Sequence, residues 1–266
     1  MSRVSNLTLA CAVLLLPVAA GCGAEADEAD DAEEIGEAQS ALTSSSYSWS
    51  KGAAPVDMGV SFGRACFLTR ISGDFEGGGE TVKAEIVSGR WVLSGTTGLP
   101  GGISAQARCV YLFPTAYASW SKGQARVAAQ TGGACFLTRV SGQFNGGGES
   151  VNLVRDSANR WTLGGSSLAG GSISASAVCV ANEGHSINTL WNAAPWGVPI
   201  RWDASAAQPI HVCGLQGMKG AFEGGGESIA VALETLSTGR TWTFHGTSGV
   251  SGASYMIGGT AGCISD

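Results

Sequence analysis

Residues 65–82 read ACFLTRISGDFEGGGETV, residues 134–151 read ACFLTRVSGQFNGGGESV, and residues 212–229 read VCGLQGMKGAFEGGGESI. In each stretch a glutamate stands fourteen residues after a cysteine: Glu80 after Cys66, Glu149 after Cys135, Glu227 after Cys213. An Arg and a Trp follow downstream (Arg90 and Trp91, Arg160 and Trp161, Arg240 and Trp242), then a Gly/Ser-rich run and a closing cysteine at Cys109, Cys179 or Cys263. A leading segment recurs as well, Tyr47-Ser48-Trp49-Ser50-Lys51 being echoed by Ala118-Ser119-Trp120-Ser121-Lys122. Self-similarity of this kind marks a repeat architecture, in which each copy is one supersecondary unit.

Inside each copy apolar and polar residues alternate with period two. Val82, Ala84 and Ile86 share one face, Ser88-Gly89 makes a turn, and Trp91 and Leu93 resume the apolar side. Val151, Leu153, Trp161 and Leu163 repeat the pattern, as do Ile229, Val231, Leu233, Trp242 and Phe244. This is the signature of a strand–turn–strand hairpin with one buried face. The 41 glycines argue against long helices, since each interior Gly costs a helix about 1 kcal/mol. The expected fold is therefore all-β: three tandem, Cys-bracketed antiparallel repeats of four to six strands each. They would form sandwich- or barrel-like units, or a pseudo-threefold, β-prism-like arrangement. The expected organisation is a signal peptide over 1–22, a disordered acidic tether over 23–46, and β repeats over 47–114, 115–183 and 184–266.

Six cysteines bracket the repeats, and six allow fifteen connectivities. Repetition favours Cys66–Cys109, Cys135–Cys179 and Cys213–Cys263, because pairing within a unit lets every copy be alike. Closing loops of that size stabilises by about 4 kcal/mol in the chain-entropy model, which matters for units too small to build a large core. No CxxC spacing is present, so zinc is not expected.

Charge is unevenly spread. Residues 23–46 carry eight acids and no base, whereas residues 47–266 carry 13 acids and 14 bases. A near-neutral body offers no electrostatic footprint for nucleic acid. Arg3, the apolar run Leu7–Leu16 and the small residues Ala19, Ala20 and Gly21 have the layout of an export signal, too short to span a bilayer. Val18-Ala19-Ala20-Gly21-Cys22 resembles the lipobox of bacterial lipoproteins, with Ala19 where that family prefers Leu. The resemblance implies a diacylated Cys22, a membrane partner through that anchor, and localisation to the cell envelope at an outer membrane. Cleavage after Ala20 would instead release a secreted protein. An oxidising compartment is expected on either route.

The candidate functional residues fall where the third copy departs from the others. Trp191, Trp196, Arg201, Trp202 and Asp203 gather flat apolar faces and polar groups, the chemistry of a binding loop for glycan or protein. Trp91, Trp161 and Trp242 are expected in the core, and Trp49 and Trp120, with Ser and Lys neighbours, partly exposed. Glu80, Glu149 and Glu227 are expected to be structural, partnered by Arg90, Arg160 and Arg240. Calcium at Glu80 beside Asp74 and Glu76 is disfavoured, because the acids are not repeated: copy two has Gln143 and Asn145 there. No metal or cofactor is expected. The expected function is non-enzymatic recognition at the cell surface. A ligand-free envelope protein is the alternative, and an exported hydrolase built on Asp203, His211 and His245 a third.

Overall fold

The computed structural model describes residues 42–168, 170–181, 189–192, 197–203, 211–236, 239–249 and 257–265; the side chains of residues 189–192, 201–203 and 236 lie outside the description. Among the described residues there is no helix, and every repeat supplies six strands. The first repeat runs β1 (Ser44–Ser50), β2 (Val56–Val60), β3 (Ala65–Gly73), β4 (Thr81–Val87), β5 (Arg90–Thr96) and β6 (Ile103–Val110). The second runs β7 (Pro114–Ser121), β8 (Val127–Thr131), β9 (Ala134–Gly142), β10 (Ser150–Arg155), β11 (Arg160–Ser166) and β12 (Ile173–Val180). The third runs β13 (Thr189–Asn192), β14 (Val198–Asp203), β15 (His211–Lys219), β16 (Ser228–Leu236), β17 (Gly239–Thr247) and β18 (Gly258–Ser265). Strand β1 thus begins at Ser44, inside the segment expected to be tether.

The strands form three six-stranded antiparallel sheets: sheet A in the order β1-β6-β3-β16-β17-β14, sheet B in the order β2-β5-β4-β9-β12-β7, and sheet C in the order β13-β18-β15-β10-β11-β8. Each sheet joins the first, sixth and third strands of one repeat to the fourth, fifth and second strands of another. The scheme closes on itself, because β16 of the last repeat pairs with β3 of the first. Of the architectures expected, the pseudo-threefold prism is the one adopted. The repeats are interleaved into one compact unit.

The joints between repeats are short. β4 meets β9 only over Thr81–Lys83 against Ser141–Arg139, and β10 meets β15 only over Ser150–Asn152 against Lys219–Gly217. Past these three pairs the strands diverge, so other contacts must hold the ring closed. On the pseudo-threefold axis the N–H of Phe75 donates to the carbonyl of Phe222, that of Phe222 to Phe144, and that of Phe144 to Phe75, each at 2.7 Å. The three rings, all fully buried, meet edge to face with centroids 6.1–6.4 Å apart, the arrangement their quadrupoles favour.

At the opposite end of the axis, symmetry fails for a steric reason. Phe67 stacks on Phe136 with centroids 4.4 Å apart, and the third place is held by Gly214. A Cβ on Gly214 would lie 2.5 Å from Phe67 and 3.0 Å from Phe136. The third copy therefore reads VCGL where the others read ACFL.

The disulfides are Cys66–Cys109, Cys135–Cys179 and Cys213–Cys263. Each joins residues directly opposite one another on the third and sixth strands of a repeat. The loop so closed includes a hairpin belonging to the next sheet. Each bridge therefore staples one sheet while tying it covalently to another. Three buried disulfides are consistent with an exported or extracellular protein.

Trp91, Trp161 and Trp242 are fully buried. Their indole N–H groups donate to the carbonyls of Arg64, Gly133 and His211 at 2.8, 3.1 and 3.1 Å. Trp49 and Trp120 differ from expectation and are buried too. Each folds back so that its N–H reaches a carbonyl four residues on, that of Ala53 or Gln124, at 3.1 Å. Closing the polar tip locally lets the ring go inside despite its Ser and Lys neighbours.

Candidate binding site

The Trp-rich segment is only partly visible. Trp196 lies outside the described residues, as do the side chains of Trp191, Arg201, Trp202 and Asp203. Backbone register still places them. Trp191 lies opposite Gly259, the place that Trp49 takes opposite Ala105 and Trp120 opposite Ala175, so it holds the same backbone register position in its repeat. Trp202 lies opposite Thr241. Val60 and Thr131 hold the matching positions beside Arg90 and Arg160, and both are exposed.

The hydrolase constellation does not converge. Asp203 pairs with Arg240 on β17, five positions from His245, or about 17 Å along a strand. His211 stands on β15 in sheet C, whereas β14 and β17 are in sheet A.

The three repeated glutamates are buried, with 1–4 % of their surface exposed. The expected pairing with Arg90, Arg160 and Arg240 is corrected for the first two. Arg90 pairs with Asp57 at 2.7 Å and Arg160 with Asp156 at 2.8 Å, and no described contact joins Arg240 to Glu227. The reason is length. Glu80 precedes the seven-residue β4 and Arg90 follows it, so the hairpin separates them by about 24 Å.

The glutamates instead join repeats. The main-chain carbonyls of Glu80, Glu149 and Glu227 accept from the N–H groups of Gly142, Gly220 and Gly73, each at 2.9 Å. Their carboxylates curl over the first glycine of each GGG, where a Cβ on Gly77, Gly146 or Gly224 would come within 2.7, 2.8 and 3.0 Å of Oε2. Oε1 of Glu80 accepts from Thr97 Oγ1 at 3.4 Å, and Oε1 of Glu227 from the N–H of Gly249 at 3.2 Å. Burial, helped by nearby Asp74, Glu223 and Glu227, raises the Glu76 carboxyl above its ordinary value. Among the described residues no three His, Cys, Asp or Glu side chains come together to hold a metal ion.

The candidate site lies in sheet B, where β4 parts from β9 beyond Lys83. The divergence opens a cleft of about 300 Å³, at the small end of the roughly 300–1,000 Å³ typical of ligand sites. Tyr117 gives it exposed aromatic surface, its ring 6.4 Å from that of the buried Trp91 at the cleft's floor. Opposite lie Lys83 and Glu85, paired at 2.5 Å, with Arg139 beside them. Ser119 and Ser176 add two hydroxyls 3.0 Å apart. Burial raises the Tyr117 phenol above its usual value.

The other two sheets act as internal controls. The strand-4 residue opposite the buried tryptophan is Ile86 in sheet B, Arg155 in sheet C and Leu233 in sheet A. Arg155 lays its guanidinium over Trp161, 5.9 Å from the ring centroid. In sheet A the cover comes from Arg108, 4.9 Å over Trp242; the matching residue in sheet B, one before the closing cysteine, is Val178. Two tryptophans thus carry an arginine, while the third borders an open cleft. Tyr117, Arg139, Lys83 and Glu85 were not singled out in sequence. The usable signal was the pair of places, 86 and 178, where an arginine found in another copy is replaced by an aliphatic residue.

No protein-family model, no curated protein and no solved structure matches the chain.

Proposed function

We propose that this chain is an exported recognition protein, held at the cell envelope through Cys22, that binds a glycan in the cleft of sheet B without chemically altering it. The observation that carries the proposal is the broken symmetry: an aromatic-walled, polar-rimmed cleft in the one sheet that lacks a covering arginine. A sugar ring presents apolar C–H faces, which suit the Tyr117 ring, and equatorial hydroxyls, which suit Arg139, Lys83, Glu85 and the two serines. The cleft takes one ring-sized unit and leaves the rest of an oligosaccharide in solvent. Recognition is then one site per chain, not the threefold multivalency that repetition alone suggests.

Screening against a glycan array, followed by calorimetric titration of each glycan retained, tests this. Binding should be lost in Tyr117→Ala and Arg139→Ala, with the melting temperature of the exposed Tyr117→Ala variant nearly unchanged. Retention of no glycan, or retention indifferent to Tyr117→Ala, refutes it. Burial of all five described tryptophans favours the ligand-free envelope protein as second reading, and failure on the array selects it.

A further inference from the structure

Seven of the eight large apolar side chains that are exposed among the described residues belong to one end of the prism, and only Leu168 stands apart. We infer that this end is a membrane-docking surface, whose outer residues Phe62, Tyr111, Phe113, Val60 and Val87 enter the lipid interface and set the orientation of the body. The inference rests on the proposed membrane anchor.

The patch is contiguous. Phe62 and Phe113 meet edge to face with centroids 5.4 Å apart. Tyr111 lies over the Arg64 guanidinium at 5.2 Å. Val60 and Val87 both pair with Arg90, and Ser61, next to Phe62, donates its N–H to Gly89 at the hairpin tip. The rings protrude: Phe62 is 85 % exposed and Phe113 63 %. Exposed apolar surface on this scale marks an interaction site, and protruding aromatic rings are what a bilayer interface accepts.

Two observations select lipid as the occupant. The first is where the chain enters. Leu42, the first described residue, is buried in the cluster with Val110, Phe67, Val180 and Ile264, and Ser44 pairs with Val110. Tyr111 and Phe113 follow Val110 directly, so the segment leading from Cys22 joins the body at the patch. That segment, residues 23–41, reaches at most about 70 Å. It therefore holds this end near the bilayer and raises the effective concentration of even a weak contact. The second observation is that repeat 2 lacks the patch. Thr131, Asp156 and Ala181 stand where repeat 1 has Val60, Val87 and Tyr111. Four residues separate Val60 from Ala65, but two separate Thr131 from Ala134, so the Phe62 protrusion has no counterpart. The prism does not require these rings for folding.

Hydrogen exchange on the full-length protein bound to vesicles of phosphatidylethanolamine and phosphatidylglycerol tests the docking. Amides of 60–64 and 111–113 should exchange about tenfold more slowly on vesicles than in detergent-free solution, while the GGG turns at the far end stay unchanged. Phe62→Ser/Phe113→Ser should abolish that protection and leave the disulfide-linked strands as slow as before. Equal exchange with and without vesicles overturns docking. So does protection that fades when the protein is diluted over excess lipid, which marks contact between copies, or protection that needs an added protein. The mass of the N-terminal peptide reports the anchor separately, so loss of the anchor and loss of docking are told apart.

Discussion

Because every sheet is shared by two repeats, damage on the axis must reach all three. Phe144→Ala is the sharpest test. It removes one of the three edge-to-face rings that close the prism and leaves the main-chain hydrogen-bond ring chemically intact. The side chain is fully buried, and truncating a buried Phe to Ala costs about 3–5 kcal/mol. For a body of this size, each kcal/mol lowers the melting temperature by about 2–4 °C, so a drop of roughly 6–20 °C is expected. Calorimetry should still show one transition. Native-state hydrogen exchange should show the slowest amides of all three sheets accelerating together, including β17 and β6, which belong to other repeats. A second calorimetric transition, or acceleration confined to β7–β12, would refute the claim that interleaved sheets make the repeats a single cooperative unit.

Other perturbations follow from the same contacts. Gly214→Ala places a methyl 2.5 Å from Phe67 and should destabilise by about 1–3 kcal/mol through overpacking; a neutral denaturation midpoint would mean that the Phe67–Phe136 stack yields. Replacing Cys66 and Cys109 together by Ala should lower stability by about 4 kcal/mol, since the loop spans 43 residues, and a midpoint shift no larger than that of a surface variant would contradict it. Arg90, through its side-chain hydrogen bond, holds the Asp57 carboxyl below its ordinary range, aided by the N–H of Gly59. A carboxylate depressed in the folded state adds stability above its unfolded pKa, and that stability is lost as pH falls through the folded one. NMR titration should find the Asp57 midpoint below the ordinary carboxylate range, returning toward it in Arg90→Gln. Both groups are exposed, so the effect on unfolding at neutral pH should be small.

What the sequence made legible was local. The hairpins, their turns and the buried Trp91, Trp161 and Trp242 all follow from period-two alternation, which depends only on neighbours; the strand count per copy was bounded only at four to six, and the structure has six. Sharing of sheets between repeats was not legible, because each joint rests on three residue pairs between segments about 60–160 positions apart, such as Thr81 with Ser141 or Ser228 with Ser72. Nothing in the composition of Thr81-Val82-Lys83 names its partner. The Phe75, Phe144 and Phe222 ring was in plain view, one residue before x-GGGE in every copy, yet a phenylalanine beside a glycine turn looks like any other core residue. The Arg–Glu pairing went astray for a related cause: persistence across copies shows that each residue serves the repeat, not that the two touch. Ile86 illustrates the opposite limit. Alternation sends it inward, but β4 has already left β9, and the side chain stands 43 % exposed at the rim of the cleft.

Departures from repetition divide by whether the departing residue is buried. Gly214 departs and is inside, and its neighbours explain it: two stacked phenylalanines leave no space for a third. Ile86, Phe62, Tyr111 and Phe113 depart and are outside, where packing makes no demand for an apolar side chain and water disfavours one. The matching positions in repeat 2 carry Arg155, a shortened loop and Ala181 within the same fold, so solubility was attainable there with the same backbone. An exposed apolar surface kept in one copy and avoided in its twin is what the proposed contacts with ligand and lipid would account for. The aromatic patch lies on that copy, at the end where the chain enters, and the cleft lies beside it, between β4 of repeat 1 and the strands of repeat 2. A ligand in the cleft would therefore sit close to the surface on which the body docks, so occupancy of the one should alter the other. Vesicle attachment that leaves glycan affinity unchanged would break that link.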